Sequence, residues 1–135
     1  MEKRKRVCIY SRVGDYRNGG FFPLMMHELR SYCANKGYEV VLEYEDYGSG
    51  NTLQRKGLKE MMAQAASGAF DILVIKRHST LARSMADLVD VIDQLDKNGI
   101  EIHSVVSDER ITHEHIEQLR AIFNNSILKE FKLKE

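Results

Sequence analysis

The sequence predicts an α/β fold of three layers, with a mainly parallel sheet of about four strands, helices on both faces and a long C-terminal helix. Two observations support this prediction. Short apolar, β-branched segments alternate with longer segments whose apolar residues have helical spacing. Parallel strands need crossover connections, which are usually helices, so the alternation favours a parallel sheet that is covered on both sides.

Four strands are predicted, in the order βαβαβαβ. The first spans Arg6–Val13, and the second spans residues 38–44. The third and fourth span residues 71–75 and 100–106. The third strand is a short and almost wholly apolar run, which is typical of a strand that is buried on both faces.

Helices are predicted between these strands and after the last of them. The first covers residues 23–36, because Pro23 suits a first helical turn and Gly37 suits a C-terminal cap. The next two each show the spacing of one buried face, at Leu58, Met61, Met62 and Ala65 and at Leu88, Val91, Ile92 and Leu95. A long final helix is predicted from Thr112, as N-cap, to about residue 133.

Size and charge limit the function classes. The 135 residues, 43% of them hydrophobic, predict one domain over 1–135, with no separate DNA-binding domain. Lys and Arg number 20, as do Asp and Glu, so the chain lacks the global basic excess of many nucleic-acid binders. Any attraction for phosphate must therefore come from local clusters of cations.

The cysteines and the apolar runs indicate a soluble, cytoplasmic protein. Cys8 and Cys33 lack metal-ligand spacing, and no secretory leader precedes them. Buried free thiols are therefore expected. No apolar run approaches the roughly 18 residues that a membrane span needs, so no membrane contact is expected.

The best candidates for chemistry are three arginines. Ligands of open α/β sheets collect at the carboxyl ends of the strands. Arg12 lies at the end of the first strand, and Arg55 and Arg83 lie near the starts of the second and third helices. A cation at a helix N-terminus opposes the helix dipole, which suggests that an anion such as phosphate is expected there. The alternative is that Arg55 and Arg83 are solvated surface arginines.

No cofactor site and no metal site is predicted. His113 and His115 are two residues apart, so on a helix they face different directions and cannot share a metal ion. His27 and His103 are isolated in the sequence. The segment Gly48-Ser-Gly50 lacks the Lys-Ser/Thr ending of a phosphate-binding loop.

Three separated segments carry a resemblance to a known family. They are Tyr10-Ser-Arg-Val-Gly14, the segment from Asp46 to Leu58, and the segment from Asp71 to Ser84. In order and spacing they resemble Tyr-x-Arg-Val-Ser, Asp-x-Gly-x-Ser-Gly…Arg-Pro/Lys-Gly-Leu, and the strand followed by Lys-Leu-Asp-Arg-Leu-x-Arg. These are motifs of serine recombinase catalytic domains, the resolvases and invertases. The resemblance implies that fold and a role in DNA recombination, and it makes Arg12, Arg55 and Arg83 retained family arginines.

The departures from the family pattern fall on the chemistry. The family's nucleophilic serine, which bonds transiently to DNA, corresponds to Gly14. The family's Asp-Arg pair corresponds to Ser79 and Thr80, and its glutamine in the first helix corresponds to Met25. Phosphoryl transfer without a metal needs a nucleophile and cationic donors, so their joint loss predicts an inactive domain.

Two other hydroxyls, those of Ser11 and Ser49, lie near these motifs as candidate replacement nucleophiles. Strand alternation predicts that Ser11 points to the opposite sheet face from Arg12. Ser49 corresponds to a loop serine of the family and not to the attacking serine.

The sequence is compatible with three functions. The first is a recombinase-like domain without catalysis, which acts as a dimerising or regulatory partner of an active recombinase. The second is an active, divergent DNA recombinase domain. The third is an unrelated α/β module that binds a phosphorylated ligand.

Weak, salt-sensitive contacts with DNA phosphates are expected, together with a homodimer or higher homo-oligomer. Self-association is predicted through an apolar stripe of the last helix, which is wider than one sheet face would cover. Its residues are Ile116, Leu119, Ile122, Phe123, Ile127 and Phe131.

Overall fold

A computed structural model describes residues 4–13, 21–48 and 53–112, together with residues 114, 117, 118 and 121. The elements are β1 (Arg6–Val13), α1 (Phe21–Lys36), β2 (Glu39–Tyr47), α2 (Lys56–Ala66), β3 (Ile72–Ile75), a short 3₁₀ helix (His78–Thr80), α3 (Met85–Lys97), β4 (Glu101–Ser104) and β5 (Glu109–Ile111). The described residues include no helix that is long and apolar enough to cross a membrane.

The strands form one sheet in the order β2-β1-β3-β4-β5. The pairs β1–β2, β1–β3 and β3–β4 are parallel, whereas β4 and β5 are antiparallel. β2 lies on one side of β1 in the sheet, and β3 lies on its other side, so the connection from β2 to β3 passes over β1. Right-handed crossovers then place α1 on one face of the sheet and α2 and α3 on the other.

Alternation along the strands divides the core between these two faces. Val7 and Ile9 of β1 pack with Met26, Leu29 and Cys33 of α1. Cys8 and Tyr10 of β1 pack on the other face, against apolar side chains of α2 and α3, among them Leu58, Met61, Leu88 and Leu95. The predicted three-layer α/β fold is therefore confirmed.

Most element bounds agree with prediction, and the differences have simple causes. The first strand is where it was predicted, and α1 begins two residues earlier than expected. β2 runs on to Tyr47, because it stays paired with β1 as far as Val13. The predicted fourth strand, 100–106, ends at Ser104, because residues 105–108 form a turn.

The turn leads into β5, which was not predicted. β5 has three residues, and Glu109 and Arg110 are exposed, so it carries no apolar alternation. Asp108 in the turn has a φ of 50°, and its carboxylate accepts a hydrogen bond from the Tyr32 hydroxyl at 3.0 Å. The same carboxylate pairs with Lys36 at 3.2 Å, so the end of α1 holds this hairpin.

The long final helix is described only in part. Residues 114, 117, 118 and 121 are helical. The rest of the predicted helix and all six residues of its apolar stripe lie outside the described residues.

A buried carboxylate joins the end of β2 to the start of α2. Asp46 is 7% exposed, and its oxygens accept hydrogen bonds from the backbone amides of Gly57 at 2.7 Å and Leu58 at 2.9 Å. Arg55, the N-cap residue, makes no side-chain cap, so Asp46 satisfies the open amides of the helix in its place. A Cβ atom at residue 57 would lie 2.8 Å from Asp46 Oδ1, so this contact requires glycine.

The two thiols are free and fully buried, as expected, and they lie on opposite faces of the sheet. Burial is the main cause that raises the pKa of Cys8 to about 12 and the pKa of Cys33 to about 11. At neutral pH both therefore remain protonated and poorly nucleophilic.

We expect both thiols to resist iodoacetamide in the native protein at pH 8 and to react on unfolding. Because Cys8 lies under α2 and α3 and Cys33 lies on α1, the two labelling rates report the opening of different layers. Mass spectrometry of the two peptides measures each rate. Rapid alkylation of either thiol in the folded protein would contradict this packing.

We expect Gly57→Ala to lower the free energy of unfolding by about 1–3 kcal/mol, the usual cost of overpacking. In an Asp46→Ala background the overlap disappears, and alanine is better than glycine in a helix by up to about 1 kcal/mol. The same substitution should then be neutral or stabilising. Urea unfolding of the four proteins of this cycle measures the reversal of sign, and an equal loss in both backgrounds would contradict the proposed contact.

Candidate functional site

The predicted arginines meet at the carboxyl edge of the sheet. Arg12 is the second-last residue of β1, and the 3₁₀ helix follows β3 at the neighbouring strand end. Arg55 stands immediately before α2. The chain departs from β1 in one direction and from β3 in the other, and such a switch point is where open α/β sheets form a crevice.

Arg12 holds two loops by their main chains. Its Nε donates to the carbonyl oxygen of Thr80 at 3.2 Å, and its Nη2 donates to that of Ser79 at 2.9 Å. Its Nη1 donates to the carbonyl oxygen of Gly48 at 3.1 Å. Two effects lower the pKa of Arg12: partial burial is the larger, and repulsion from Arg55 and Arg83 is the smaller. Three of its five N–H groups are thus used by backbone carbonyls.

Arg55 is inside the protein. Its side chain is 4% exposed, and its Nη1 donates to the Tyr10 hydroxyl at 2.7 Å and to the carbonyl of Thr80 at 3.2 Å. Its Nη2 donates to the carbonyl of Leu81. The interpretation of Arg55 as a solvated surface arginine is therefore wrong, because tyrosine and carbonyl oxygens replace the water around its guanidinium.

Tyr10 connects Arg55 to the buried carboxylate. Its hydroxyl accepts from Arg55 and donates to Asp46 Oδ2 at 2.7 Å. Burial, and then the hydrogen bond to Asp46, raises the pKa of Tyr10 far above its usual value, so the hydroxyl stays protonated and remains a donor. The sequence suggested an anion beside the start of α2. At the amides of the first turn of that helix, this anion is the protein's own Asp46 carboxylate.

Neither Asp46 nor Tyr10 was singled out as a candidate site residue. Both lie in the segments that resemble the recombinase motifs, and this was the available signal. Asp46 also differs from the rest of its strand, because it is the one buried position of the otherwise half-buried or exposed β2.

Arg83 differs from the other two arginines. It is exposed and lies just before α3, whose N-cap Ser84 accepts a hydrogen bond from the amide of Asp87 at 3.1 Å. Its charge acts on Arg12, which places it in the same electrostatic environment. The interpretation of Arg83 as a solvated surface arginine agrees with its exposure. A contact between Arg83 and phosphate remains a prediction.

Ser79 and Thr80 meet the arginines through their backbones. Their carbonyls, with that of Leu81, face the two guanidinium groups, while the side chain of Ser79 is half-buried and Thr80 is 7% exposed. Gly14 lies outside the described residues, as does Ser49. Met25 lies on α1 and packs at the border of the core on that face.

Ser11 is separated from this group of arginines. It is fully buried, and its Oγ donates to Met26 Sδ at 3.3 Å. Met26 belongs to α1, so the hydroxyl points to the α1 face while Arg12 bonds to loops of the carboxyl edge. The prediction from strand alternation is confirmed.

The described residues contain no group of three or more His, Cys, Asp or Glu side chains that could hold a metal ion. What the edge offers chemically is positive charge: two arginines that are fixed by carbonyls and a third that is exposed.

Known proteins match this chain at both sequence and structure level. The family described as "Resolvase, N terminal domain" matches residues 7–131. The chain is 37% identical over 62 residues to the probable DNA-invertase y4cG of Sinorhizobium fredii, covering 46% of this chain and 20% of that protein. It is 36% identical over 69 residues to the transposon Tn552 DNA-invertase BinR of Staphylococcus aureus, covering 51% of this chain and 34% of that protein. The chain thus spans between a fifth and about a third of the length of these two relatives.

The fold is similar to that of the N-terminal catalytic domain of TP901-1 integrase. The TM-score is 0.80 at 26% identity, and the likeness covers 95% of this chain and 99% of that chain. The family match begins in β1, passes through all five described strands and ends at residue 131. On this extent of agreement, the chain belongs to the resolvase N-terminal domain family of serine recombinases.

Proposed function

We propose that this chain is a recombinase-like domain that no longer cuts DNA and acts in DNA recombination as a dimerising or regulatory partner of an active recombinase. The names of its relatives, which are DNA-invertases and an integrase, support the link to recombination. The family match over residues 7–131 argues against an unrelated phosphate-binding module.

The observation that carries the loss of cutting is the arrangement around residues 79–81. Arg12 and Arg55 both donate to main-chain carbonyls of this turn. By resemblance, relatives carry an Asp-Arg pair at Ser79 and Thr80, so here one cation is missing, while Arg12 and Arg55 hold the backbone. Gly14, at the nucleophile position, supplies no hydroxyl. A hydroxyl nucleophile and the charges that stabilise the phosphoryl group act as a unit, and both parts are incomplete.

The burial of Ser11 supports the same proposal. A replacement nucleophile would need to reach a phosphate beside Arg12, whereas Ser11 Oγ is enclosed against Met26 on the other sheet face. An active, divergent recombinase domain remains the second candidate. It is favoured by the retention of Arg12, Arg55 and Arg83 at one edge, and it requires a hydroxyl from elsewhere, such as Ser49.

We expect the chain to form no covalent adduct with DNA, and we expect Gly14→Ser alone to form none either. The triple variant Gly14→Ser, Ser79→Asp, Thr80→Arg should come closer to activity, because it returns the hydroxyl, the cation and an aspartate beside it. The carbonyls that bind Arg12 and Arg55 are backbone groups, so they are retained in the variant. The assay is covalent trapping of protein on a supercoiled plasmid that carries a recombination site of an active relative.

The matched control for this assay is Gly14→Ala, Ser79→Asp, Thr80→Arg, which restores the charges without the hydroxyl. An adduct in the Ser variant and none in the Ala control would assign the attack to residue 14. An adduct formed by the unmodified chain would contradict the proposal, and peptide mapping of the adduct would then identify the hydroxyl of the divergent-recombinase alternative.

We also expect the chain to self-associate through the apolar stripe of its C-terminal segment, since such a stripe would otherwise remain exposed. Replacing Ile127 and Phe131 with Gln should weaken the association by at least ten-fold, because each side chain would lose about 1.5–3 kcal/mol of burial. Sedimentation at several concentrations measures it, with Glu117→Gln as a control on an exposed helical residue. A strict monomer at high micromolar concentration would exclude the dimerising role.

A further inference from the structure

We infer that the turn before β5 is a latch: the Asp108 carboxylate, held by side chains near the end of α1, keeps β5 on the sheet, and its release lets β5 and the chain after it swing away. The inference goes beyond the proposed function, because it concerns a movement within one copy of the chain and needs neither DNA nor a partner. We call the contacts of Asp108 with Tyr32 and Lys36 the turn latch.

The two halves of this turn are held in different ways. The first half belongs to the sheet, because the amide of Val105 donates to the carbonyl of Ile75 at 2.9 Å. The amide of Val106 donates to the main chain just after β3 at 3.1 Å, and Val105 packs against the α1 side of the core. From Val106 to Arg110 every residue is exposed. A movement of β5 would therefore hinge after Val106.

Asp108 has a backbone conformation that needs support from its surroundings. Its φ of 50° lies in the left-handed region, and among the residues that the structure describes it is the only one other than glycine with a positive φ. This conformation is unfavourable for an L residue, because Cβ comes too close to the following carbonyl oxygen. Aspartate tolerates it better than most residues, but such conformations persist where surrounding contacts fix them. The turn therefore requires a compensating contact.

The turn latch supplies this contact. Asp108 Oδ1 accepts a hydrogen bond from the Tyr32 hydroxyl at 3.0 Å and lies 3.2 Å from Lys36 Nζ. The hydrogen bond from Lys36, and then that from Tyr32, lowers the pKa of the Asp108 carboxyl, so this group is charged at neutral pH. Lys36 Nζ also lies over the ring of Tyr32, 5.5 Å from its centroid, which adds a cation–π contact. The three side chains therefore brace one another.

The latch is weak enough to open. The side chains of Lys36 and Asp108 are 42% and 62% exposed, and exposed ion pairs contribute little to stability and are screened by salt. β5 has three residues, and its Arg110 adds a long contact of 3.6 Å to Glu101. Exposed segments with few buried contacts belong to the least stable parts of a protein. Since Glu114 is already helical, release of β5 would change the direction in which the C-terminal segment leaves the sheet.

Hydrogen exchange of the full chain measures the opening of β5. Lys36→Gln and Tyr32→Phe should each speed exchange at the amides of residues 109–111 by about two- to five-fold, the range that one exposed pair contributes, with no change in β3. High salt should speed the same amides in the unmodified chain and have little effect on Lys36→Gln. The matched control is Lys97→Gln, which removes a lysine from the last turn of α3 and should leave these rates unchanged.

Substitutions of Asp108 separate the latch from the backbone strain. Asp108→Ala loses the latch and keeps the penalty of a positive φ, whereas Asp108→Gly loses the latch and adopts a positive φ freely. Exchange at residues 109–111 should therefore be faster in Asp108→Ala than in Asp108→Gly. Exchange in Asp108→Ala that is no faster than in the unmodified chain would overturn the inference.

Spin labels measure whether the released chain swings. They are attached through Gln94→Cys on α3 and Glu114→Cys after β5, both at exposed positions, since the native thiols are buried. Dilution with unlabelled chain restricts the recorded distances to one copy. In Lys36→Gln the distance distribution should broaden or gain a second population. An unchanged distribution would overturn the swing, and unchanged exchange in both latch variants, or an equal change in Lys97→Gln, would overturn the latch.

Discussion

The buried carboxylate of Asp46 is the interaction on which the rest of the carboxyl edge depends. A charge of this kind is costly inside a protein unless hydrogen bonds surround it, and here two amides of α2 and the Tyr10 hydroxyl do so. Tyr10 in turn accepts from Arg55, and Arg55 donates to the carbonyls of Thr80 and Leu81 at the end of the 3₁₀ helix. One continuous polar chain therefore ties the ends of β1, β2 and β3 to the start of α2.

This chain of contacts changes what the retained arginines mean. Arg12 and Arg55 agree with the family pattern in the sequence, yet in the structure they stabilise loops through main-chain oxygens, which any residues at 79–81 would supply. Such arginines can persist after catalysis is lost, because the fold needs them. A matching motif and a buried position are thus compatible with a structural role.

The sequence predicted what depends on local periodicity and missed what depends on distant contacts. β1, α2 and α3 were predicted correctly because each carries its own apolar run or apolar stripe. β5 has three residues and is defined by pairing with β4, which no local pattern reports. The burial of Arg55 depends on Tyr10, 45 positions away, and the need for glycine at 57 depends on Asp46, 11 positions away. The meeting of the three arginines was foreseeable, because parallel strands end at a common edge.

The antiparallel course of β5 turns the chain back from the carboxyl edge of the sheet. β4 runs towards the arginines and ends there, whereas β5 runs back, so that Ile111 lies beside Ile102 near the opposite edge. The chain therefore leaves the sheet about 7 Å back from the end of β4, since two residues separate Ser104 from Ile102 and each rises about 3.3 Å. β5 is also the outermost strand, two strands to the side of β3. A partner that bound the chain just after β5 would therefore leave the loops at the carboxyl ends of β1 and β3 open.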